Sequence, residues 1–162
     1  MGGEITTAKE AAGDGLVLAF GRLLGAANRL EYLLGKAIEE QCGISHLTYE
    51  VLLILARAGE RGMSMGAVSR EQVLTSGGVT RLIDRMEAAG LVERFADPGD
   101  RRGRLVRLTP AGEAKAVEAT RVHRENIERH FVAPIPAADR DAFAEDLRLL
   151  SHAARDSLPP LK

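Results

Sequence analysis

Tryptophan is absent from this chain of 162 residues, and aromatic residues make up only 4% of it, so the core is expected to be aliphatic. The single cysteine, Cys42, excludes an internal disulfide and fits a reducing compartment. No apolar run approaches the roughly 20 residues that a membrane span needs. The N-terminal segment lacks a basic region followed by an apolar one, so no secretory signal is visible. We therefore expect a cytoplasmic protein without a membrane partner.

The sequence also lacks the motifs of common catalytic and metal sites. It contains no glycine-rich phosphate loop, no nucleophile elbow, no HExxH motif and no paired CxxC motif. Cys42 and His46 have the spacing of a weak metal pair, and His123 and His130 share one helix face. We expect no enzyme activity, no cofactor and no metal, although a metal- or thiol-responsive sensor stays open as an alternative.

An excess of positive charge is missing as well, because the formal net charge is −1. The distribution is more informative: four arginines, at positions 101, 102, 104 and 107, fall within seven residues that contain no acid. Such a local basic cluster is compatible with nucleic-acid binding.

The segment from Met63 to Gly112 contains two helix patterns followed by two strand patterns. Ser64 is expected to cap a short helix, and Thr75 or Ser76 to cap a second one that ends at Gly90. The second helix has an apolar stripe at i, i+3, i+4, i+7, formed by Val79, Leu82, Ile83 and Met86. Strands are predicted at 91–95 and 104–108, joined by a turn-rich loop at 96–103. This order predicts a winged helix-turn-helix, whose second helix enters the major groove of DNA.

Two motifs in this segment resemble those of the multiple antibiotic resistance regulator (MarR) family. The pattern Asp100-x-Arg102-x-x-x-Val106-x-Leu108-Thr109-x-x-Gly112 matches the family's wing signature at every fixed position. The run from Ser76 to Arg94 looks like the family's recognition helix and first wing strand. The correct separation of the two motifs makes the resemblance specific, and it implies a transcription regulator.

Chemistry assigns roles to the exposed residues of the second helix. Ser76 can contact a phosphate, and Gly77 and Gly78 allow close approach to the duplex. Thr80 and Arg81 are placed for base edges, and Arg85 lies on the same polar face. The DNA-binding residues predicted on this helix are Thr75, Ser76, Gly77, Gly78, Thr80, Arg81 and Arg85. A plain solvated face is the alternative, and Asp84 is expected to pair with a neighbouring arginine, since a carboxylate facing phosphates is unfavourable.

In the wing, the resemblance implies that Asp100 holds Arg102 while Arg102 enters the minor groove. Arg101 and Arg104 are interpreted as phosphate contacts, and Asp100 with Arg102 could instead only staple the hairpin. Glu93, Arg94 and Arg107 are expected to be solvated strand positions.

The helices predicted on both sides of the winged region carry apolar stripes that the small domain cannot bury alone. Thr48 is expected to cap a compact buried helix at 49–57, and Thr109-Pro110 to begin a helix that reaches about residue 131. A symmetric homodimer that interleaves the flanking helices would bury the stripes, and a monomer with internal packing is the alternative. The expected fold class is therefore mainly α with a small β-hairpin wing. The chain is expected to divide into a lead-in (1–15), an N-terminal dimerisation helix (16–43), a winged helix-turn-helix (47–109), C-terminal dimerisation helices (110–156) and a tail (157–162).

The resemblance further implies that a small phenolic or anionic effector binds between the winged region and the dimer helices. Candidate contacts are chosen by position alone: Arg22, Asn28, Arg29, Tyr32, His46 and Tyr49. The sequence as a whole predicts a ligand-responsive repressor that binds double-stranded DNA at a pseudo-palindromic operator as a homodimer. A winged helix used only for docking to an acidic protein is the competing interpretation.

Overall fold

The computed structural model describes residues 5–72 and 76–157, and the side chains of Gln72, Ser76, Arg101 and Arg102 lie outside that description. The α-helices in these ranges are α1 (Ala8–Gly13), α2 (Gly15–Cys42), α3 (His46–Ala58), α4 (Met65–Gln72), α5 (Ser76–Ala88), α6 (Pro110–Ile127) and α7 (Arg140–Asp156). The strands are β1 (Met63–Ser64), β2 (Val92–Asp97) and β3 (Asp100–Leu108). The predicted fold class, a helical chain with a small β wing, is confirmed.

Local capping explains where the long helices begin and end. The Asp14 carboxylate accepts hydrogen bonds from the Leu16 and Val17 N–H groups, both at 3.0 Å, and begins α2. Gly43 ends that helix in the left-handed region at φ 69°. The expected cap of α3 at Thr48 is wrong, because the Ser45 hydroxyl, three residues earlier, accepts from the Thr48 N–H at 3.1 Å. The cap of α3 therefore lies three residues ahead of the position that the sequence suggests.

The wing is a three-stranded antiparallel sheet in the order β1-β3-β2. The two-residue strand β1 was not predicted, and Met63 pairs with Val106 in the middle of β3. The predicted loop at 96–103 is also too long, since pairing continues to Asp97 and Asp100, with a register shift between Ala96 and Asp97. The Asp97 carboxylate accepts from the Gly99 N–H at 2.8 Å and so stabilises the tight turn at the hairpin tip.

The main core lies between α3, α4, α5 and the sheet. Its fully buried members include Leu52 and Leu55 of α3, Val68 of α4 and Ile83 of α5. The predicted stripe of α5 is confirmed, because all four of its apolar side chains are buried. A second cluster, formed by Ile38, Cys42, Tyr49 and Ala119, joins α2 and α3 to α6. The packing therefore fixes the apolar side of α5 and leaves its opposite side at the surface.

The first turn of α6 is pressed against the residue that leads into β2. The Thr109 N–H donates to the Leu91 carbonyl at 3.1 Å, and the Thr109 hydroxyl donates to the Gly90 carbonyl at 2.6 Å. A Cβ on Gly112 would lie only 1.9 Å from that Leu91 carbonyl oxygen. Gly112 is therefore required by close backbone approach, and it fixes the wing relative to α6.

Candidate nucleic-acid interface

The polar face of α5 is the first part of the candidate interface. Gly77, Gly78, Thr80, Arg81 and Arg85 are all exposed, on the side opposite the buried stripe. Ser76 begins the helix, its side chain lies outside the described part of the chain, and Thr75 lies outside the described residues altogether. The helix therefore presents two glycines near its N-terminus and, within the next two turns, a hydroxyl and two guanidinium groups.

The wing hairpin is the second part of the candidate interface. Asp100 lies at the start of β3 beside the tip, and Arg104 is exposed further along the same strand. The backbones of Arg101 and Arg102 belong to β3, but their side chains are outside the description. The bond between Asp100 and Arg102 therefore stays a prediction.

Arg94 of β2 connects these two parts. Its guanidinium donates to the Asp84 carboxylate at 2.5 Å and to the Glu87 carboxylate, both on α5. Its backbone N–H also donates to Glu87 at 3.0 Å. Burial by itself lowers the pKa of Arg94, but the hydrogen bonds to Asp84 and Glu87 outweigh it and raise the pKa, so the guanidinium stays charged.

This arrangement corrects two expectations from the sequence. Asp84 does pair with an arginine, but the partner is Arg94 of the wing, ten residues away, and neither Arg81 nor Arg85 of its own helix. The expectation that Arg94 is solvated is wrong, because only 23% of its side chain is exposed. The pairing depends on how β2 packs against α5, which no local pattern in the sequence indicates.

Arg107 was also expected to be a solvated strand position, and it instead ties the base of the wing to the turn after α3. Its guanidinium donates to Glu93 at 2.7 Å across the sheet and to Glu60 at 3.0 Å. It also lies 4.9 Å from the centre of the Phe95 ring, within range of a cation–π contact. The hydrogen bond to Glu93 is the main reason that the pKa of Arg107 is raised.

The six residues proposed for effector binding do not come together in one place. Asn28, Tyr32 and His46 line a cleft of about 530 Å³ between α2 and the start of α3. Arg22 and Arg29 are exposed on α2 outside that cleft, and the Arg29 guanidinium folds back over Gly25. Tyr49 is only 3% exposed and belongs to the core.

Tyr49 instead forms part of an aromatic cluster beneath the cleft. Its ring centre lies 5.0 Å from that of His123, and the His46 ring lies 5.3 Å from His123. The Tyr49 hydroxyl is 3.2 Å from the hydroxyl of Thr120 on α6. Burial, and secondarily the neighbouring His46, lower the pKa of His123. No local pattern in the sequence indicates this cluster, because His123 lies more than seventy residues from both His46 and Tyr49.

A second cleft, of about 470 Å³, lies between α3, β3 and α6. Its walls are largely apolar, with Leu53 and Ala56 of α3 facing Ala116 and Val117 of α6, and Arg121 at its rim. No local pattern in the sequence indicates this cleft, because three distant segments build it.

The thiol and metal alternatives find little support in the geometry. Cys42 is 6% exposed, and burial, followed by the nearby Glu118, raises the pKa of its thiol, which disfavours the reactive thiolate. Within residues 5–72 and 76–157, no three His, Cys, Asp or Glu side chains lie together in a way that would hold a metal ion.

In the same ranges, no helix has both the length and the apolar character needed to cross a membrane.

Comparison with known proteins matches the segment that builds this surface. A sequence model of the MarR family matches residues 42–103, from the end of α2 into the wing. The multiple antibiotic resistance protein MarR of Salmonella typhimurium is 32% identical over 100 residues, which cover 60% of this chain and 67% of that protein. The chain belongs to the MarR family. It spans about two thirds of the length of such curated relatives, 64% in one from Bacillus subtilis.

Solved structures of MarR family members share the fold over most of the chain. The regulator Sco3205 from Streptomyces coelicolor, solved in complex with DNA, has a TM-score of 0.76 at 22% identity and covers 94% of this chain and 91% of its own. CouR from Rhodococcus jostii, solved with p-coumaroyl-CoA bound, has a TM-score of 0.66 at 25% identity and covers 85% of this chain and 92% of its own. MarR family proteins are transcription regulators and not enzymes, so the predicted functional class is confirmed.

Proposed function

We propose that this MarR family protein is a ligand-responsive repressor that binds a pseudo-palindromic operator as a homodimer. The observation that carries the proposal is the exposed cationic face of α5, which the buried stripe orients outward and Arg94 ties to the wing. A helix of this kind fits the major groove, and an adjacent hairpin reaches the flanking backbone or minor groove.

Each group on this surface has a chemical partner on duplex DNA. Arg81 can donate two hydrogen bonds to the edge of a guanine, and Thr80 can contact a base edge or a methyl group. The N-terminal end of α5, with Ser76, Gly77 and Gly78, suits a phosphate, because the helix dipole is positive there and the two glycines allow the duplex to approach closely. In the wing, Arg101 and Arg104 are assigned to phosphates and Arg102 to the minor groove.

The homodimer is supported by apolar side chains that the single chain leaves in water. Phe20 on α2 is 61% exposed, and further large apolar side chains are exposed on both terminal segments: Leu16, Val17, Leu24, Phe143, Leu149 and Leu150. Apolar surface of this extent on a pair of helices favours burial against a partner, and a two-fold axis lets one patch serve both copies. Two recognition helices about 34–36 Å apart would then read the two halves of a pseudo-palindrome.

The effector is proposed to bind in the cleft that Asn28, Tyr32 and His46 line, at the boundary between α2 and α3. A ligand there touches both α2, a flanking helix, and the start of α3, which packs in the core of the winged domain, so it can favour one spacing of the two recognition helices over another. Such differential binding lowers operator affinity. The complex of CouR with p-coumaroyl-CoA supports a ligand-responsive mechanism for this chain.

Selection of duplexes from a random pool, followed by fluorescence anisotropy, tests the DNA assignment. We expect the protein to enrich an inverted repeat and to lose affinity steeply between about 50 and 200 mM salt, because phosphate contacts release counterions. A protein-docking module would enrich no duplex. A reporter gene placed behind the enriched sequence then tests repression, which predicts lower expression when the regulator is present.

A further inference from the structure

Arg94 forms a two-point connection between the recognition helix and the wing. Asp84 and Glu87 are one turn apart on α5, and the Arg94 guanidinium reaches both carboxylates from β2. The Arg94 backbone N–H also donates to Glu87 at 3.0 Å, a third connection that does not involve the Arg94 side chain. A planar guanidinium held by two carboxylates cannot rotate freely, so β2 and α5 are held at one angle.

The connection also changes the electrostatics of the reading face. Asp84 is 57% exposed and lies beside Arg81 and Arg85 on the helix surface. A bare carboxylate in that place would repel phosphates at close range. Arg94 neutralises it from the side that faces the protein, and Arg81 and Arg85 remain exposed on the outer side.

We infer that Arg94 is a positioning residue for DNA reading, which sets sequence preference by holding the recognition helix and the wing as one rigid unit. The inference rests on the proposed DNA-binding function. Recognition of bases and of the flanking groove must occur together, and a fixed angle lets both occur without the entropic cost of ordering two loose parts. Loss of Arg94 should therefore reduce discrimination between sequences, beyond the effect of losing one positive charge.

The experiment compares two duplexes, one enriched by the unaltered protein and one with the same bases scrambled. Arg94→Met removes the charge and the connection but keeps most of the side-chain volume. Asp84→Asn in addition to Arg94→Met restores the net charge of the surface but not the connection. Arg107→Met is the matched control, because it also removes an ion-paired arginine from the wing sheet but makes no contact with α5. Circular dichroism melts confirm that each variant is folded.

We expect Arg94→Met to lower the affinity for both duplexes and to reduce the ratio between them about tenfold, on the scale of one lost base contact. The double variant should recover affinity for the scrambled duplex while the ratio stays low. Arg107→Met should keep the ratio. Recovery of the full ratio in the double variant, or an equal loss in Arg107→Met, overturns the inference, since charge or general wing integrity would then explain the effect.

Arg94→Lys keeps the test decisive if Arg94→Met does not fold. A lysine retains the charge, but it lacks the planar fork through which the guanidinium bonds Asp84 with one nitrogen and Glu87 with another, so it holds the two groups less rigidly. It should bind the scrambled duplex as the unaltered protein does and show a reduced ratio, and an unchanged ratio overturns the inference. If the unaltered protein enriches no duplex, the proposed function itself fails and the inference fails with it. Normal enrichment with an unchanged ratio in the Arg94 variants removes only the inference.

Discussion

The substitution Gly112→Ala tests the joint between the wing and α6. A Cβ at this position would lie 1.9 Å from the Leu91 carbonyl oxygen and 2.9 Å from its carbon. The first turn of α6 must therefore retreat by roughly 1–1.5 Å to reach an ordinary contact distance. That retreat strains the bonds from Thr109 to the carbonyls of Leu91 and Gly90, which are 3.1 and 2.6 Å long.

The magnitude follows from three contributions. Overpacking costs about 1–3 kcal/mol, and each weakened hydrogen bond costs about 0.5–1.5 kcal/mol. Alanine recovers up to about 1 kcal/mol over glycine in a helix. We expect Gly112→Ala to lower the free energy of unfolding by about 3 kcal/mol, measured by urea denaturation at one fixed protein concentration, because the stability of a dimer depends on concentration.

Gly66→Ala is the matched control for that measurement. Gly66 is exposed within α4, and its added Cβ would meet only Arg70, at an ordinary 3.6 Å. This control should be neutral or stabilising by up to about 1 kcal/mol. If the free energy of unfolding of Gly112→Ala lies within about 0.5 kcal/mol of that of the unaltered protein, the close backbone approach to Leu91 does not require glycine at this position.

Three further predictions concern the pH dependence, the dimer and base reading. Because the pKa of His123 is lowered in the folded protein, the unfolded chain binds a proton at a higher pH than the folded one does. The contribution of His123 to stability is therefore present above about pH 6.5 and is lost as the pH falls below that value. His123→Asn should flatten the pH dependence of the urea midpoint, whereas substitution of the exposed His152 by Asn should leave that dependence in place. Phe20→Asp should separate the dimer in sedimentation experiments, because the exposed part of each ring contributes about 2–4 kcal/mol on burial; an unchanged mass would exclude this face. Arg81→Ala should lose about 1–3 kcal/mol of discrimination between bases at one base pair. Arg104→Ala should lower the affinity for all duplexes alike and reduce the salt dependence of binding. The same change of affinity and of sequence preference in both variants would contradict their separate roles.

Features with their own local chemistry could be predicted from the sequence. The stripe of α5 was visible because helix periodicity places Val79 and Ile83 on one side, and Thr109 with Pro110 marked the start of α6 in advance. The wing register was harder, because β1 has only two residues and exists only through its pairing with β3. A strand that short has no period of its own.

Features that depend on tertiary packing could not be predicted. Arg94 and Arg107 look like ordinary alternating strand residues. Packing of the sheet against α5 gives Arg94 both of its carboxylate partners, and packing against the turn after α3 adds Glu60 to the cross-strand partner of Arg107. The candidate effector contacts share only their position along the chain, and the phase of the helices places Tyr49 in the core and Arg22 outside the cleft. The sequence suggests which residue types could form a site, but tertiary packing decides which of them lie together.

The most direct test of paired recognition is the spacing of the two half-sites in the selected duplex. The protein should bind as one dimer per duplex, with half-site centres about one helical turn apart. Inserting about five base pairs between the half-sites turns one of them to the opposite side of the duplex, and binding should fall to the level of a scrambled sequence. Unchanged affinity for the duplex with the insertion, or one chain bound per duplex, would contradict the account.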